Sequence, residues 1–342
     1  MNYTKKAILY ILSFLITLSA GLFIGLYISK SSPTHESVDS NSHSKLFFQE
    51  NEKYKYTNPL LDCELYTHNE IGFLQPFKYK IEALRDKLIK DKKLATHISI
   101  FFRDLNLGGS IGVDENEKFT PASLLKVPLM IAYLKLAEKD PSLLTKEIVF
   151  DESTDIHALE QNIKPTHAIQ KGKKYTIDEL IQFMIIDSDN NAQNLLYNNI
   201  KGSTLDAVYL DLGINIPGVK TPEDYMSVQE YASFFRILYN STYLSRDMSE
   251  KALSYLTQVD YDAGIRAGLP ADVVLANKFG ERKLVYEADG HEVLQLHDCG
   301  IVYYTKRPYL LCIMTRGDSF KDLAKVASMI SESVYKQISA IK

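Results

Sequence analysis

The sequence predicts an α+β fold, in which an antiparallel sheet packs against helices and an all-helical lobe stands beside it. Strand-like runs lie near the start of the folded body and again after residue 272, so strands flank a mainly helical middle. The 342 residues are 45% hydrophobic and 24% charged, which is typical of a globular protein with a large core. We therefore expect the early and late strands to share one sheet, with a cleft between it and the helical lobe.

The early part of the body alternates between helix and strand. Phe77 to Lys90 has helical periodicity, and His97 to Phe102 and Ser110 to Val113 predict two strands joined by a glycine-containing turn. A second helix is expected to begin around Pro121. It is apolar nearly all round, which predicts that it is buried.

Helical signals dominate from Pro141 to Asp224. Thr176 to Glu179 is a capping-box sequence that opens an apolar run, and Gly213 indicates the end of a helix that begins near Thr204. The loop after the capped helix leads to a further helix over 191–199. Two more amphipathic helices are predicted over 227–239 and 245–259.

The late part of the chain predicts strands over 273–283, 284–288, 293–304 and 309–315. Asp289-Gly290 is a hairpin signal between two of them. A long amphipathic helix over 321–341 closes the chain. These strands and the two early ones make up the expected antiparallel sheet.

The N-terminus predicts a membrane anchor and a tether. Ala7 to Ile28 contains no charged residue and is long enough to span a bilayer, whereas a cleaved signal peptide would have a shorter apolar region. Lys5 and Lys6 favour a cytoplasmic N-terminus (1–6) and an extracytoplasmic body. The polar segment over 29–57 is expected to be a disordered tether, and 58–342 a single folded domain.

Charge and cysteine content exclude several classes of function. The net charge of −4 and the lack of a basic run with aromatic residues argue against nucleic-acid binding. No metal-ligand spacing occurs, so neither a metal site nor a cofactor is expected. Cys299 and Cys312 lie in neighbouring strand-like runs, where a disulfide and two buried free thiols are alternatives, and the free thiols are preferred.

Three short motifs follow one another in the chain: Ser123-Leu-Leu-Lys126, Ser188-Asp-Asn190 and Lys278-Phe-Gly280. Ser-x-x-Lys occurs four times in this sequence and is weak evidence alone, but Ser-Asp-Asn and Lys-x-Gly each occur once. The three motifs supply a nucleophile, two amines, a second hydroxyl and an amide. This is the set of groups that an acyl-transferring serine enzyme needs.

The spacing within each motif suggests a chemical role. Ser123 and Lys126 share one face of a helix start, where a neutral amine can take the hydroxyl proton. Lys278 and Gly280 share one face of a strand, where a cation binds a substrate carboxylate and the glycine lets substrate approach the backbone closely. Asp189 is expected to be structural, because Asp favours helix N-termini.

The chain resembles the class A β-lactamase family of penicillin-recognising serine hydrolases from about His97 to its C-terminus. The resemblance rests on the three motifs and on Thr221-Pro222 before a helix. It implies a β-lactamase/transpeptidase-like fold with Ser123 as the acylated nucleophile, Lys126 as general base and Ser188 as proton shuttle. Asn190 would contact substrate, Lys278 would anchor its carboxylate, and the backbone N–H groups of Ser123 and Glu281 would form the oxyanion hole.

Two departures from the family pattern bear on the reaction. Phe279 stands where the family has Thr or Ser, so a hydroxyl that helps to hold the substrate carboxylate is lost; Arg282 is a candidate replacement. The family's Glu-x-x-Leu-Asn motif is absent, and the interval from Asn191 to Lys220 contains no glutamate. The resemblance assigns water activation to that glutamate, so acylation is expected to outpace deacylation.

Three functions stay open from the sequence. The first is a β-lactamase-like hydrolase of β-lactams. The second is a membrane-anchored D,D-peptidase acting on peptidoglycan stem peptides. The third is a β-lactam or muropeptide sensor that does not turn its ligand over.

Overall fold

The structure is a computed structural model and describes residues 54–59, 74–151, 161–218, 221–285, 292–304 and 307–341. The predicted anchor, Ala7 to Ile28, lies outside these ranges, as does most of the predicted tether. Among the helices that are described, none is both long enough and apolar enough to cross a bilayer.

A five-stranded antiparallel sheet forms the centre of the described body. Its strands are β1 (His97–Asp104), β2 (Ser110–Val113), β7 (Val274–Val285), β8 (Glu292–Tyr303) and β9 (Tyr309–Gly317). The strand order is β2-β1-β9-β8-β7, so the early strands pair with the late ones, as predicted. β7 lies at one edge, where it meets the turn that carries Ser123. Two small sheets pair β3 (Lys118–Phe119) with β6 (Met226–Ser227) and β4 (Glu147–Val149) with β5 (Lys174–Thr176).

Eight α-helices lie in the described ranges, and most begin where the sequence predicts. Thr176 and Ser227 are the N-cap residues of two of these helices, and each forms a capping box that fixes the start of its helix. The helices are α1 (Leu74–Asp86), α2 (Lys126–Ala137), α3 (Ile177–Ile186), α4 (Asn190–Asn198), α5 (Gly202–Asp211), α6 (Val228–Tyr239), α7 (Arg246–Leu256) and α8 (Phe320–Ser339).

The sheet separates two hydrophobic cores, because strand side chains alternate between its faces. In β9, Leu310 and Met314 point into the core shared with α2 and the helical lobe. Leu311 and Ile313 point into the core beneath α1 and α8. This is the predicted α+β architecture, with the helical lobe packed on one face of the sheet.

Three details differ from the sequence predictions. β7 is one continuous strand over the region predicted as two, and the Asp289-Gly290 signal lies outside the described residues. Residues 55–57, assigned to the tether, donate their backbone N–H groups to the carboxylate of Glu250, so the folded body includes them. Cys299 and Cys312 are buried opposite each other and joined as a disulfide, so the preference for free thiols is wrong.

Candidate active site

Ser123 lies in a 3-10 turn, Ala122–Leu125, that leads directly into α2. The preceding residue, Ala122, has a φ of +51°, a left-handed conformation that a non-glycine residue rarely adopts. Such strain concentrates at functional sites, where the surrounding structure holds it in place. The side chain of Ser123 is half-buried and lines a cleft.

Lys126 is the first residue of α2, and its side chain is fully buried. The side-chain amine donates to the carbonyl oxygen of Ser188 at 2.5 Å and to its hydroxyl at 3.0 Å. It also donates to Oδ1 of Asn190 at 2.8 Å. The structure thus brings the first two motifs together around one amine.

The pKa of Lys126 is lowered well below its usual value, mainly because burial penalises the charged amine and secondly because of the positive charge of Lys278. Asp189 and Glu281 act in the opposite direction. A buried lysine whose pKa is lowered in this way loses its proton more easily and can then accept one from a hydroxyl.

The loop between α3 and α4 holds Ser188 and Asn190 against Lys126. Ser188 has a φ of +57° and is almost fully buried. Asp189 caps α4, since its Oδ1 accepts from the backbone N–H groups of Asn191 at 2.7 Å and Ala192 at 3.2 Å. Its Oδ2 accepts from the N–H of Ile169 at 2.8 Å, so the structural role predicted for Asp189 is confirmed.

Lys278 lies on β7 and is fully buried as well. Its amine makes no hydrogen bond with any described residue and sits 4.2 Å from the ring centroid of Phe279. Burial lowers the pKa of Lys278 to about 7, although Asp298 and Glu281 oppose the shift. A side chain with no solvent exposure cannot reach a substrate carboxylate unless the site opens, so the structure does not display the predicted anchor on the cleft surface.

Phe279, in place of the family's hydroxyl residue, is buried against Tyr261 with ring centroids 4.1 Å apart. The sequence did not single out Asp298, which lies opposite Phe279 across β7 and β8. Its carboxylate accepts from the side chain of Asn277 and from the N–H of Ile265, both at 2.8 Å, and burial raises its pKa to about 7. A charged residue within an apolar strand was the signal that could have identified it.

Gly280 packs against the turn that carries Ser123. A Cβ at this position would lie 2.9 Å from the carbonyl oxygen of Pro121 and 3.0 Å from the backbone nitrogen of Leu124. The glycine therefore permits the close contact of β7 with the turn that carries Ser123. This contact is a structural reason for glycine at position 280, and the close approach of substrate stays a prediction.

The cleft beside Ser123 has a volume of about 720 Å³. Its wall includes Glu281, whose Oε1 accepts from the backbone N–H of Ile163 at 2.7 Å. Burial raises the pKa of the Glu281 carboxyl. The lining residues are Ala122, Ser123, Gln161, Asn162, Asn190, Gln193, Asn194, Tyr197, Glu281, Arg282, Lys283 and Val285.

The segment over 161–163, for which no role was predicted, reaches the site from the loop before β5. Gln161 donates to the carbonyl oxygen of Ser188 at 3.3 Å, and Ile163 holds Glu281. No motif or periodicity marks this segment. Arg282 lines the cleft as expected of a replacement contact, but it also lies 3.6 Å from Glu223.

The interval without glutamate contains α5 and lines a second cavity of about 370 Å³. Asp206 lies on its wall, and Gln193 and Tyr197 are shared with the cleft. Of the described residues that line the cleft itself, only Glu281 carries a carboxylate. No group of three His, Cys, Asp or Glu side chains within the described ranges is arranged to hold a metal ion.

Comparison with known structures supports the fold. A mutant of PBP-A, solved as an acyl-enzyme complex with penicillin G, has a TM-score of 0.63 at 18% identity and covers 77% of this chain and 97% of its own. A β-lactamase from Sphaerobacter thermophilus has a TM-score of 0.64 at 17% identity, covering 77% of this chain and 98% of its own. Both show the β-lactamase/transpeptidase-like fold.

Comparison of sequences shows the family. Beta-lactamase L2 from Stenotrophomonas maltophilia is 30% identical over 128 residues, which is 37% of this chain and 40% of that protein's length. The model of the Beta-lactamase enzyme family matches residues 79–338, which include all three motifs. The chain therefore belongs to the β-lactamase enzyme family.

Proposed function

We propose that this protein is a serine hydrolase that forms an acyl-enzyme at Ser123 with β-lactam amides. The observation that carries the proposal is the position of the buried Lys126 amine. Lys126 lies three residues after Ser123, and its amine contacts the hydroxyl of Ser188 and the side-chain amide of Asn190. Its pKa is lowered by burial and by Lys278, which favours the neutral amine that a general base needs.

This arrangement supports an acylation step of the following kind. Neutral Lys126 takes the proton of the Ser123 hydroxyl, whose oxygen attacks the amide carbonyl carbon. The backbone N–H groups of Ser123 and Glu281 stabilise the oxyanion that develops. The C–N bond then breaks as Ser188 gives a proton to the leaving nitrogen and recovers one from Lys126, which leaves an ester at Ser123.

Hydrolysis of that ester needs an activated water. The interval from Asn191 to Lys220 contains no glutamate to serve as the base. We therefore propose that the acyl-enzyme persists far longer than it takes to form. A long-lived acyl-enzyme favours a second candidate function, a D,D-peptidase or a sensor that penicillin traps. The predicted anchor, Ala7 to Ile28, would hold either protein at the membrane with its body outside.

Intact-mass measurements after addition of penicillin G test the proposal. We expect a mass increase equal to the whole penicillin, which declines slowly and which the Ser123→Ala variant does not acquire. Rapid loss of the adduct with accumulation of hydrolysed penicillin would instead support an efficient β-lactamase. Release of D-alanine from a stem pentapeptide would identify a peptidase, and an adduct without such release would favour a sensor. Absence of any adduct contradicts the proposal.

A further inference from the structure

Thr120, three residues before Ser123, is bound through all three of its polar groups. Its backbone N–H donates to Oε1 of Gln295 at 3.0 Å, and its hydroxyl donates to Oδ1 of Asp224 at 2.9 Å. Its carbonyl oxygen lies 3.0 Å from Nε2 of His297. We propose that Thr120 is a positioning residue that fixes the turn carrying Ser123 in its reactive orientation. The inference rests on the proposed acylation of Ser123 and adds to it a residue outside the three motifs.

The amide of Gln295 and the carboxylate of Asp224 hold each other in place. Gln295 is fully buried, and its Nε2 donates to Oδ1 of Asp224 at 2.8 Å. Arg316 donates to the other carboxylate oxygen at 2.8 Å. Because the amide nitrogen of Gln295 is directed at Asp224, its oxygen is the atom that accepts from Thr120. Both partners therefore meet Thr120 in one defined orientation.

The ring of His297 is fixed in the same way. His297 is fully buried on β8, and burial lowers its pKa to about 4, so the imidazole is neutral near neutral pH. A carbonyl oxygen only accepts, so Nε2 carries the proton that is donated to Thr120. Nδ1 then accepts from the backbone N–H of Thr315 at 3.3 Å. With both nitrogens in use, the ring holds the Thr120 carbonyl in one direction.

The residue before Thr120 is anchored through its side chain. Phe119 is fully buried, and its ring centroid lies 5.5 Å from that of His297 and 4.9 Å from the guanidinium carbon of Arg316. Its backbone pairs with Met226 between β3 and β6. The chain that enters the turn is therefore held through both backbone and side chains.

The turn itself depends on such support from outside. Ala122, between Thr120 and Ser123, has a φ of +51°, and strain of this kind persists only where the surrounding structure holds it. On the far side of the turn, the hydroxyl of Tyr231 donates to the carbonyl oxygen of Leu124 at 3.0 Å. Thr120 is the matching anchor at the entry. Releasing it lets the turn relax and moves Ser123 away from its reactive position.

The test compares Thr120→Val, which removes the hydroxyl at nearly constant volume, with Thr120→Ser, which keeps it. Acylation is followed by quenched intact mass over a range of penicillin G concentrations, which gives the maximal rate constant and the half-saturating concentration. Thr145→Val is the matched control, because its exposed hydroxyl binds the carbonyl oxygen of Ser142 at 2.9 Å. Gln295→Leu, which removes the acceptor of the Thr120 N–H, is a second variant. Circular dichroism and thermal melting establish that each variant is folded.

We expect Thr120→Val to lower the maximal rate constant about tenfold at an unchanged half-saturating concentration, because misplacing a reacting group slows the bond-forming step. Thr120→Ser and Thr145→Val should acylate like the wild type, and Gln295→Leu should be at least as slow as Thr120→Val. A Thr120→Val protein that melts earlier but keeps the wild-type rate constant overturns the inference while leaving acylation of Ser123 intact. Failure of penicillin G to acylate the wild type contradicts the proposed function itself, and the inference with it.

Discussion

The amine of Lys126 lies 3.0 Å from the hydroxyl oxygen of Ser188, a residue 62 positions later in the chain. The contact joins the start of α2 to the junction of α3 and α4, and both groups are shielded from solvent. A proton accepted by Lys126 therefore has a short path to the hydroxyl that would protonate the leaving nitrogen.

Replacing Lys126 with alanine should slow the acylation of Ser123 by about 10²–10⁴-fold, the usual contribution of a positioned proton-transfer group. The measurement is the rate of adduct formation with penicillin G. Lys174→Ala is the matched control, because Lys174 is an exposed lysine on β5, 3.7 Å from Glu147. An acylation rate in Lys126→Ala equal to that of this control would refute the role of Lys126 as base.

Replacing Lys278 with methionine should move the acidic limb of the acylation pH profile to higher pH. The positive charge of Lys278 helps to lower the pKa of Lys126, so removing that charge raises this pKa. Lys126 then becomes neutral, and able to act as a base, only at a higher pH. The fitted midpoint of the rising limb is the quantity to compare with the wild type. A midpoint that stays in place or falls would show that Lys278 does not tune Lys126.

Replacing Gly280 with alanine should impair both folding and acylation. The added Cβ would meet the backbone around Pro121 and Leu124 at about 3 Å, so the turn that carries Ser123 must shift. Such overpacking costs about 1–3 kcal/mol, which denaturant unfolding can measure. Gly202→Ala is the control, because a Cβ there meets no atom within 4 Å. Equal stability and acylation in the two variants would argue against this contact.

Replacing Asp189 with alanine should destabilise the fold by roughly 1–3 kcal/mol, because three backbone N–H groups lose their acceptor in a buried loop. Asp189→Asn keeps an acceptor oxygen and should lose less. Urea unfolding of both variants checks the order. Asp189→Ala as stable as the wild type would mean that the cap does not hold this loop.

Local sequence signals were enough to place most of the fold. A capping-box sequence marked the helix start at Thr176, and amphipathic periodicity marked the helix that follows Ser227. Strand-like apolar runs marked the strands on either side of the helical middle. The first two motifs also came together as predicted, because a helix start and an interhelical loop have recognisable chemistry. Gly280 was expected at the site, and the structure places it against the turn that carries Ser123.

Other parts of the site depend on contacts that no local signal encodes. Ile163 holds Glu281 across 118 positions of sequence, and the segment that contains it has neither motif nor periodicity. The burial of Lys278 depends on what covers the edge of β7, which strand alternation does not specify. Pairing of Cys299 with Cys312 depends on the exact register of β8 and β9.

Peptide mapping of the penicillin adduct tests the central claim most directly. The protein is treated with penicillin G, quenched, digested and sequenced by tandem mass spectrometry. We predict that the added mass is on Ser123 and that Ser123→Ala carries none. An adduct on another residue, or an equal adduct in Ser123→Ala, would contradict the assignment of Ser123 as the nucleophile.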